Sequence, residues 1–230
     1  MDHTEIRKLA ELEDEHWWYR ERRILLARDI VGMTPGVALD IGAAGGGNTR
    51  VLRGAGWLSM AVEYGATGAQ IASERGLSVL RADATALPCA DDAMDLVVAF
   101  DVLEHIDDDD AAVREIHRVL RPGGVALIAV PVDPRLWSAH DEAVGHVRRY
   151  TRSELLDLFN RNGFVIERAR SWNVLLRPVV ALRRRSSSGS DLEEMNPIVN
   201  HALRAIVAVE RVLPVGRMPG VSLRIRARAL

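Results

Sequence analysis

Three carboxylates, Asp40, Glu63 and Asp83, stand about twenty residues apart, each just after a short apolar run. Between the first two lies Gly42-Ala43-Ala44-Gly45-Gly46-Gly47, a run of small residues. Glycine tolerates φ > 0 and lets a ligand approach the backbone closely. A buried strand, a tight glycine loop and a helix, in that order, are how an open α/β sheet builds a nucleotide site beyond the carboxyl ends of its strands. A second concentration of reactive groups is Trp137-Ser138-Ala139-His140-Asp141-Glu142-Ala143-Val144-Gly145-His146-Val147-Arg148-Arg149-Tyr150. Histidine accepts protons near neutral pH, and guanidinium pairs carboxylate or phosphate oxygens bidentately. His140, Glu142 and His146 are therefore candidate bases. Arg148 and Arg149 are candidate clamps for an anionic substrate group, with Trp137 and Tyr150 beside them. Two histidines and an acid also suit a divalent metal, but no third convergent ligand is legible, and no metal is expected.

The elements that must position these groups follow from periodicity. Residues 3–30 read as a helix, with Leu9, Leu12, Trp17, Ile24, Leu25 and Leu26 as apolar positions. It carries His16-Trp17-Trp18-Tyr19-Arg20, a concentration of aromatics in a chain that is only 5% aromatic. These rings either seat the helix on the domain or form a lid, with Tyr19 and Arg23 reaching the polar end of a ligand. Val37–Asp40, Leu58–Val62, Ser78–Arg81, Met94–Ala99 and Val125–Val130 read as strands, and the fourth is apolar throughout, as a covered parallel strand should be. Helices are expected after the loop to about Gly54, over Ala69–Arg75, and over amphipathic Ala111–Leu120. Thr151 and Glu154 fit a capping box opening a helix to about Asn160. Phe164–Arg170 is a sixth strand, Ser186–Ser190 a flexible linker, Ile198–Leu213 a helix, and Val221–Leu230 a last, antiparallel strand.

The stretch Asp40-Ile41-Gly42-Ala43-Ala44-Gly45-Gly46 resembles the first motif of class I S-adenosylmethionine-dependent methyltransferases, roughly D-x-G-x-G-x-G. Asp40, Gly42 and Gly46 match, and Ala44 replaces the middle glycine. "LRPGG" at 120–124 is a turn frequent in the same family. The resemblance covers roughly residues 37–131. It implies a Rossmann-like, doubly wound, mostly parallel seven-stranded α/β sheet with one antiparallel strand, and S-adenosylmethionine as cofactor. By it, Asp40, Gly42, Ala43 and Gly46 form the loop. Glu63 takes the ribose hydroxyls, Tyr64 lies on the adenine, and Asp83 and Ala84 meet the adenine edge. The backbone near Phe100 meets the ammonium group, and His105 matches the His of a common "LEH" run. A subgroup of these enzymes carries the "HWWYR" and "HDE…GH.RRY" segments and an extended tail, and this chain resembles it in all three. Trp18, His105, Trp137, His140, Glu142, His146, Arg148, Arg149 and Tyr150 are then the acceptor-side residues, with His140, His146 and His105 as candidate bases.

The remaining bounds are compositional. A net charge of −2 argues against general nucleic-acid binding, and one cysteine, Cys89, excludes a disulfide framework. No uncharged apolar run reaches the roughly 18–20 residues of a membrane span, and none at the N-terminus reads as a signal peptide, so a cytoplasmic location is expected. The organisation expected is a helical lid at 1–35, a cofactor-binding core at 36–170 with a substrate-side insertion at 131–152, and an extension at 171–230. From Arg168 onward there are twelve arginines and four acidic residues. That basic part fits peripheral contact with an anionic membrane, a partner subunit or a solvated face, and an oligomer stays open. The expected activity is methyl transfer to an anionic or amphipathic small molecule such as a lipid, isoprenoid or other natural product. The rivals are a non-catalytic S-adenosylmethionine-binding module that docks a partner, and an NAD-dependent dehydrogenase. Asp40, Ala44 and the absence of G-x-G-x-x-G spacing weigh against the dehydrogenase.

Overall fold

The computed structural model describes residue 7, residues 10–184 and residues 196–230. Leu9, the linker at Ser186–Ser190 and the first residues of the expected N-terminal helix lie outside them. A seven-stranded sheet has the order β3-β2-β1-β4-β5-β7-β6. Its strands are β1 (Val37–Ile41), β2 (Leu58–Glu63), β3 (Val79–Arg81), β4 (Met94–Phe100), β5 (Leu120–Pro131), β6 (Phe164–Trp172) and β7 (Ser222–Ala229). The first five are parallel, and β7 runs antiparallel to both β5 and β6. Strand order reverses at β1, whose neighbours are β2 and β4, and the loops at their carboxyl ends face the crevice where such sheets take ligands.

The sheet separates two apolar layers, because successive strand side chains point to opposite faces. Leu39, Ile41, Val97, Ala99 and Ile128 join one core with α4 (Asp109–Val119) and α6 (Arg152–Arg161). Ala38, Leu96, Val98, Phe100 and Leu127 join the other with α1 (Trp17–Asp29) and α2 (Gly47–Gly54). The Thr151–Glu154 capping box forms as expected. Helix α3 (Ala66–Glu74) and α8 (Pro197–Glu210) lie close to their expected spans, and α5 (Ala139–Val144) and α7 (Arg177–Arg183) are further helices.

Two elements differ from expectation. The N-terminal helix is broken: residues 13–16 turn, and His16 caps α1 by accepting from Trp18 N at 3.3 Å. The break lets Glu13 face Arg75 at 2.7 Å, while Arg75 donates to Gly45 O at 2.6 Å and Ala10 O at 2.7 Å, so the segment is tied to the glycine loop. Residues 120–124 are not a free turn either. The pairing shifts between Met94↔Leu120 and Leu96↔Val125, so the "RPGG" segment bulges out of a strand that starts at Leu120.

Candidate active site

The loop after β1 is held by glycines where a side chain has no room. A Cβ at Gly42 (φ +67°) would lie 2.4 Å from Val102 Cγ2, and one at Gly46 (φ +82°) 2.1 Å from Leu77 Cδ1. Asp40, next to last in β1, is fully buried, and Thr49 Oγ1 in the first turn of α2 donates to its Oδ2 at 2.6 Å. Burial pushes the Asp40 carboxyl up to about 6, against the Thr49 hydrogen bond and the Arg22 charge, which act the other way.

Beyond the strand ends opens a cavity of about 1180 Å³. One wall carries Gly42, Ala43, Glu63, Tyr64, Asp83, Ala84, Phe100 and Asp101; the other carries His105, His140 and His146. Trp18, Tyr19 and Arg23 come from α1, and Leu176, Val179, Val180 and Leu203 form an apolar roof. The aromatic run therefore both seats the helix and lines the space. Trp18 packs on Trp172 with ring centroids 4.4 Å apart, and Trp17 N donates to Asn200 Oδ1 of α8 at 2.9 Å. Burial pushes the Tyr19 phenol up to about 12.

Acidic groups crowd the strand-end wall. Glu63 accepts from Ala44 N at 2.7 Å and Gly65 N at 2.9 Å. Asp83 accepts from Thr85 N at 2.8 Å, which holds its carboxyl below its ordinary value. Asp101, at φ +55°, pairs with Arg22 at 2.9 Å, and Arg22 also donates to Phe100 O at 2.7 Å. A guanidinium thus already sits against the carbonyl expected to meet an ammonium group, which marks that spot as a seat for cations. Two glycines the turn requires, a ring of carboxylates and a cation seat together fit a ligand with a nucleoside at one end and positive charge at the other.

The histidine wall joins His105, from the turn after β4, to His140 of α5 and His146 in the segment after β5. Asp141, fully buried, accepts from His146 Nδ1 and Arg149 Nε at 2.8 and 2.7 Å, and from Arg184 Nη1 at 2.9 Å. Burial pushes its carboxyl up, but the His146 hydrogen bond and the two guanidiniums outweigh that and hold it well below the carboxylate range. His105 Nδ1 meets Gly145 O at 3.0 Å, and burial lowers its pKa. Glu104 is fully buried, and neither of its oxygens has a hydrogen-bond partner among the described residues. Burial and then the nearby Asp101 charge raise its carboxyl well above the ordinary value.

Several expected site residues stand elsewhere. Asp40 and Gly46 are not among the residues lining the cavity: Asp40 is buried beneath the loop, and Gly46, within it, packs against Leu77. Arg148 is drawn away by Asp109 at 2.7 Å and Asp107 O at 2.7 Å. Tyr150 is buried, its hydroxyl donating to Asp109 Oδ2 at 2.7 Å. Arg149 borders the cavity, yet its guanidinium is committed to Asp141 and to Val132 O at 3.2 Å, so it is no free anion clamp. Trp137 and Glu142 face each other outside the cavity, Nε1 to Oε1 at 3.4 Å. Conversely, Glu104, Asp101 and Arg22 line the cavity without a sequence motif of their own. Only the adjacency of Asp101 and Glu104 to Phe100 and His105 hinted at them, and nothing marked Arg22.

Residues 39–128 match a family model described as a methyltransferase domain. A probable S-adenosylmethionine-dependent methyltransferase of Mycobacterium tuberculosis (strain ATCC 25618 / H37Rv) is 28% identical over 166 residues, covering 70% of this chain and 61% of the relative. The ubiquinone biosynthesis O-methyltransferase of Pseudomonas paraeruginosa is 26% identical over 147 residues, 56% of this chain and 63% of that protein. The chain thus spans about three fifths of these relatives. Among solved structures, a chain of the complex between the Haloferax volcanii Trm112 methyltransferase activator and the putative methyltransferase superposes with a TM-score of 0.67. It is 22% identical and covers 98% of this chain and 94% of that one.

Proposed function

We propose that this chain, whose residues 39–128 match a methyltransferase-domain model, is a class I S-adenosylmethionine-dependent methyltransferase that transfers the methyl group to an oxygen of an amphipathic small molecule. The observation that carries the reading is the size of the cavity. At about 1180 Å³ it exceeds the roughly 300–1,000 Å³ of ordinary single-ligand sites, and it joins the glycine loop to the histidine wall without a break. The apolar roof of Leu176, Val179, Val180 and Leu203 favours an acceptor with a hydrocarbon part. The Pseudomonas relative, by its name, serves ubiquinone biosynthesis and methylates oxygen, which agrees with such an acceptor. The expected anionic preference loses its main support, since Arg148 and Arg149 are spent on Asp109 and Asp141.

S-Adenosylmethionine, when bound, supplies a methyl carbon on a sulfonium, an electrophile that needs no further activation. Glu63 would accept from the ribose hydroxyls, and Asp83 and the Ala84 backbone would meet the adenine. Phe100 O and Asp101 would take the cationic end once Arg22 yields the seat it holds. Holding the acceptor in line is then the protein's main task, and positioning of this kind is worth roughly 7–11 kcal/mol of barrier. The acceptor hydroxyl must also lose its proton. His146 suits that: it lines the cavity, Asp141 fixes its Nδ1 and Nε2 carries the lone pair, and a placed base contributes roughly 10²–10⁴-fold. His140 and His105 border the same space. The domain division expected from sequence would then serve a division of labour, with lid, cofactor core and extension each lining one side.

The test is calorimetric titration with S-adenosylmethionine, S-adenosylhomocysteine and NAD, on wild type and on Glu63→Ala and Asp83→Ala. Turnover on a panel of isoprenoid-substituted phenols follows. Binding of the first two ligands, weakened in both variants, with S-adenosylhomocysteine released only when a phenol is present, is the expected result. Binding of NAD alone overturns the reading. Tight S-adenosylmethionine binding without turnover on any acceptor favours a non-catalytic docking module.

A further inference from the structure

The histidine wall holds more order than a proton acceptor needs. Glu104, His105 and His146 each offer one ligating atom, and these atoms lie within 4.8 Å of one another. The rings of His105 and His146 meet edge to face with centroids 4.8 Å apart, and His146 Nε2 lies 3.9 Å from Glu104 Oε1. Both rings are oriented through their Nδ1 atoms, His146 on the Asp141 carboxylate and His105 on the Gly145 carbonyl. Each therefore keeps its lone pair on Nε2. A histidine held through its second nitrogen by a carboxylate or a backbone carbonyl is the arrangement that fixes tautomer and aim at metal centres. The third member is a fully buried carboxyl group with neither oxygen hydrogen-bonded among the described residues. A buried polar group without a partner carries a substantial penalty, and a cation would remove it.

We propose that Glu104, His105 and His146 bind a borderline divalent cation, Zn²⁺ in type, at the acceptor end of the cavity. Two imidazoles and one carboxylate suit such an ion, whereas Mg²⁺ and Ca²⁺ prefer all-oxygen shells. Three protein ligands leave coordination positions open, as at catalytic zinc sites. Those positions face the cavity that all three residues line, and the exposed His105 provides the way in. An acceptor hydroxyl bound there would deprotonate more readily, since a coordinated oxygen is acidified. His105 and His146 then serve as ligands rather than as bases, and His140, whose ring centroid is 6.4 Å from that of His146, receives the proton. The catalytic role rests on the methyl-transfer reading, but the binding site does not.

The experiment is titration of metal-free protein with Co²⁺ alone, read by its visible d–d absorption, with Zn²⁺ and Mg²⁺ as competitors. Glu104→Gln, His146→Ala and His105→Asn are titrated in parallel, and S-adenosylhomocysteine affinity is measured on every sample. One equivalent of Co²⁺ is expected to bind with the spectrum of a nitrogen–oxygen site, displaced by Zn²⁺ and not by Mg²⁺. Loss of a ligand should weaken binding by more than the roughly 10–100-fold that loss of an outer-shell partner costs, with S-adenosylhomocysteine affinity kept. His105→Asn, on the exposed rim, keeps the comparison decisive if the buried substitutions unfold the chain. Absence of the spectrum in wild type, equal affinity in the variants, or displacement by Mg²⁺ would overturn the site. Loss of S-adenosylhomocysteine binding by intact wild type would instead count against the function proposed above.

Discussion

Replacing Asp40 with Asn should change how the stability of this protein depends on pH. The carboxyl is fully buried beneath the glycine loop, and its pKa is raised from the ordinary 3.8 to about 6. An acid whose folded value is raised binds more protons folded than unfolded between those two values. Stability therefore falls as pH rises through the window, and the whole penalty is present above pH 6. That penalty is roughly 3 kcal/mol at pH 8, of which roughly 2 kcal/mol develops between pH 4.5 and 8. The amide keeps the shape of the carboxyl and an oxygen for Thr49 Oγ1, but it does not titrate. The assay is urea and thermal denaturation of wild type and Asp40→Asn across that range. The variant should gain roughly 2 kcal/mol relative to wild type on going from pH 4.5 to 8, seen as a relative gain in Tm of about 4–8 °C. Any pH-independent cost of the amide cancels, because only the change with pH is read. A difference constant to within about 0.5 kcal/mol over this range would refute the reasoning, showing that burial does not govern this carboxyl.

Asp141→Asn should act the opposite way. It strands Arg149 and Arg184 beside a neutral side chain, and breaking a buried pair costs about 3–5 kcal/mol, or a Tm loss of roughly 6–20 °C by thermal denaturation. The Asp141 pKa is depressed, so its stabilisation is present above the unfolded value of 3.8 and is lost only as pH falls through the folded value. The deficit of the variant should therefore stay level from pH 5 to 8. Gly46→Ala should cost at least about 1–2 kcal/mol for the left-handed backbone alone, with Leu77 displaced as well. Its loss should appear both in thermal denaturation and in weaker S-adenosylhomocysteine binding by calorimetry.

What could be read in advance was whatever repeats or punctuates. The parallel strands showed as apolar runs ending in an acid, the Thr151–Glu154 cap as a local pattern, and the final antiparallel strand as alternation of apolar residues with arginine. The direction of side chains in irregular segments was not legible, because a distant partner decides it. Arg148 and Tyr150 look like substrate groups until Asp109, about forty residues earlier in the chain, draws both away from the cavity. Glu104 sits in a short turn with no periodicity, so nothing local marks it as buried. Arg22 belongs to a helix face that the sequence gives as one charge among many, and only packing brings it to Phe100 O.

The strand β7 bears on how the protein is made. It is the last of the seven in sequence, yet it lies between β5 and β6 and pairs along Val125–Pro131 of β5. About 100 residues separate the end of β5 from the end of β7, and a ribosome takes roughly 5–20 s to translate them. For that interval β5 presents an open apolar edge, the kind of edge on which chains join one another. The segments that roof the cavity lie between β6 and β7 in sequence, so the sheet and the acceptor chamber close in the same final step. Slower translation through that stretch lengthens the exposure, and yield during synthesis should track how soon the final strand arrives more closely than it tracks the stability of the finished fold.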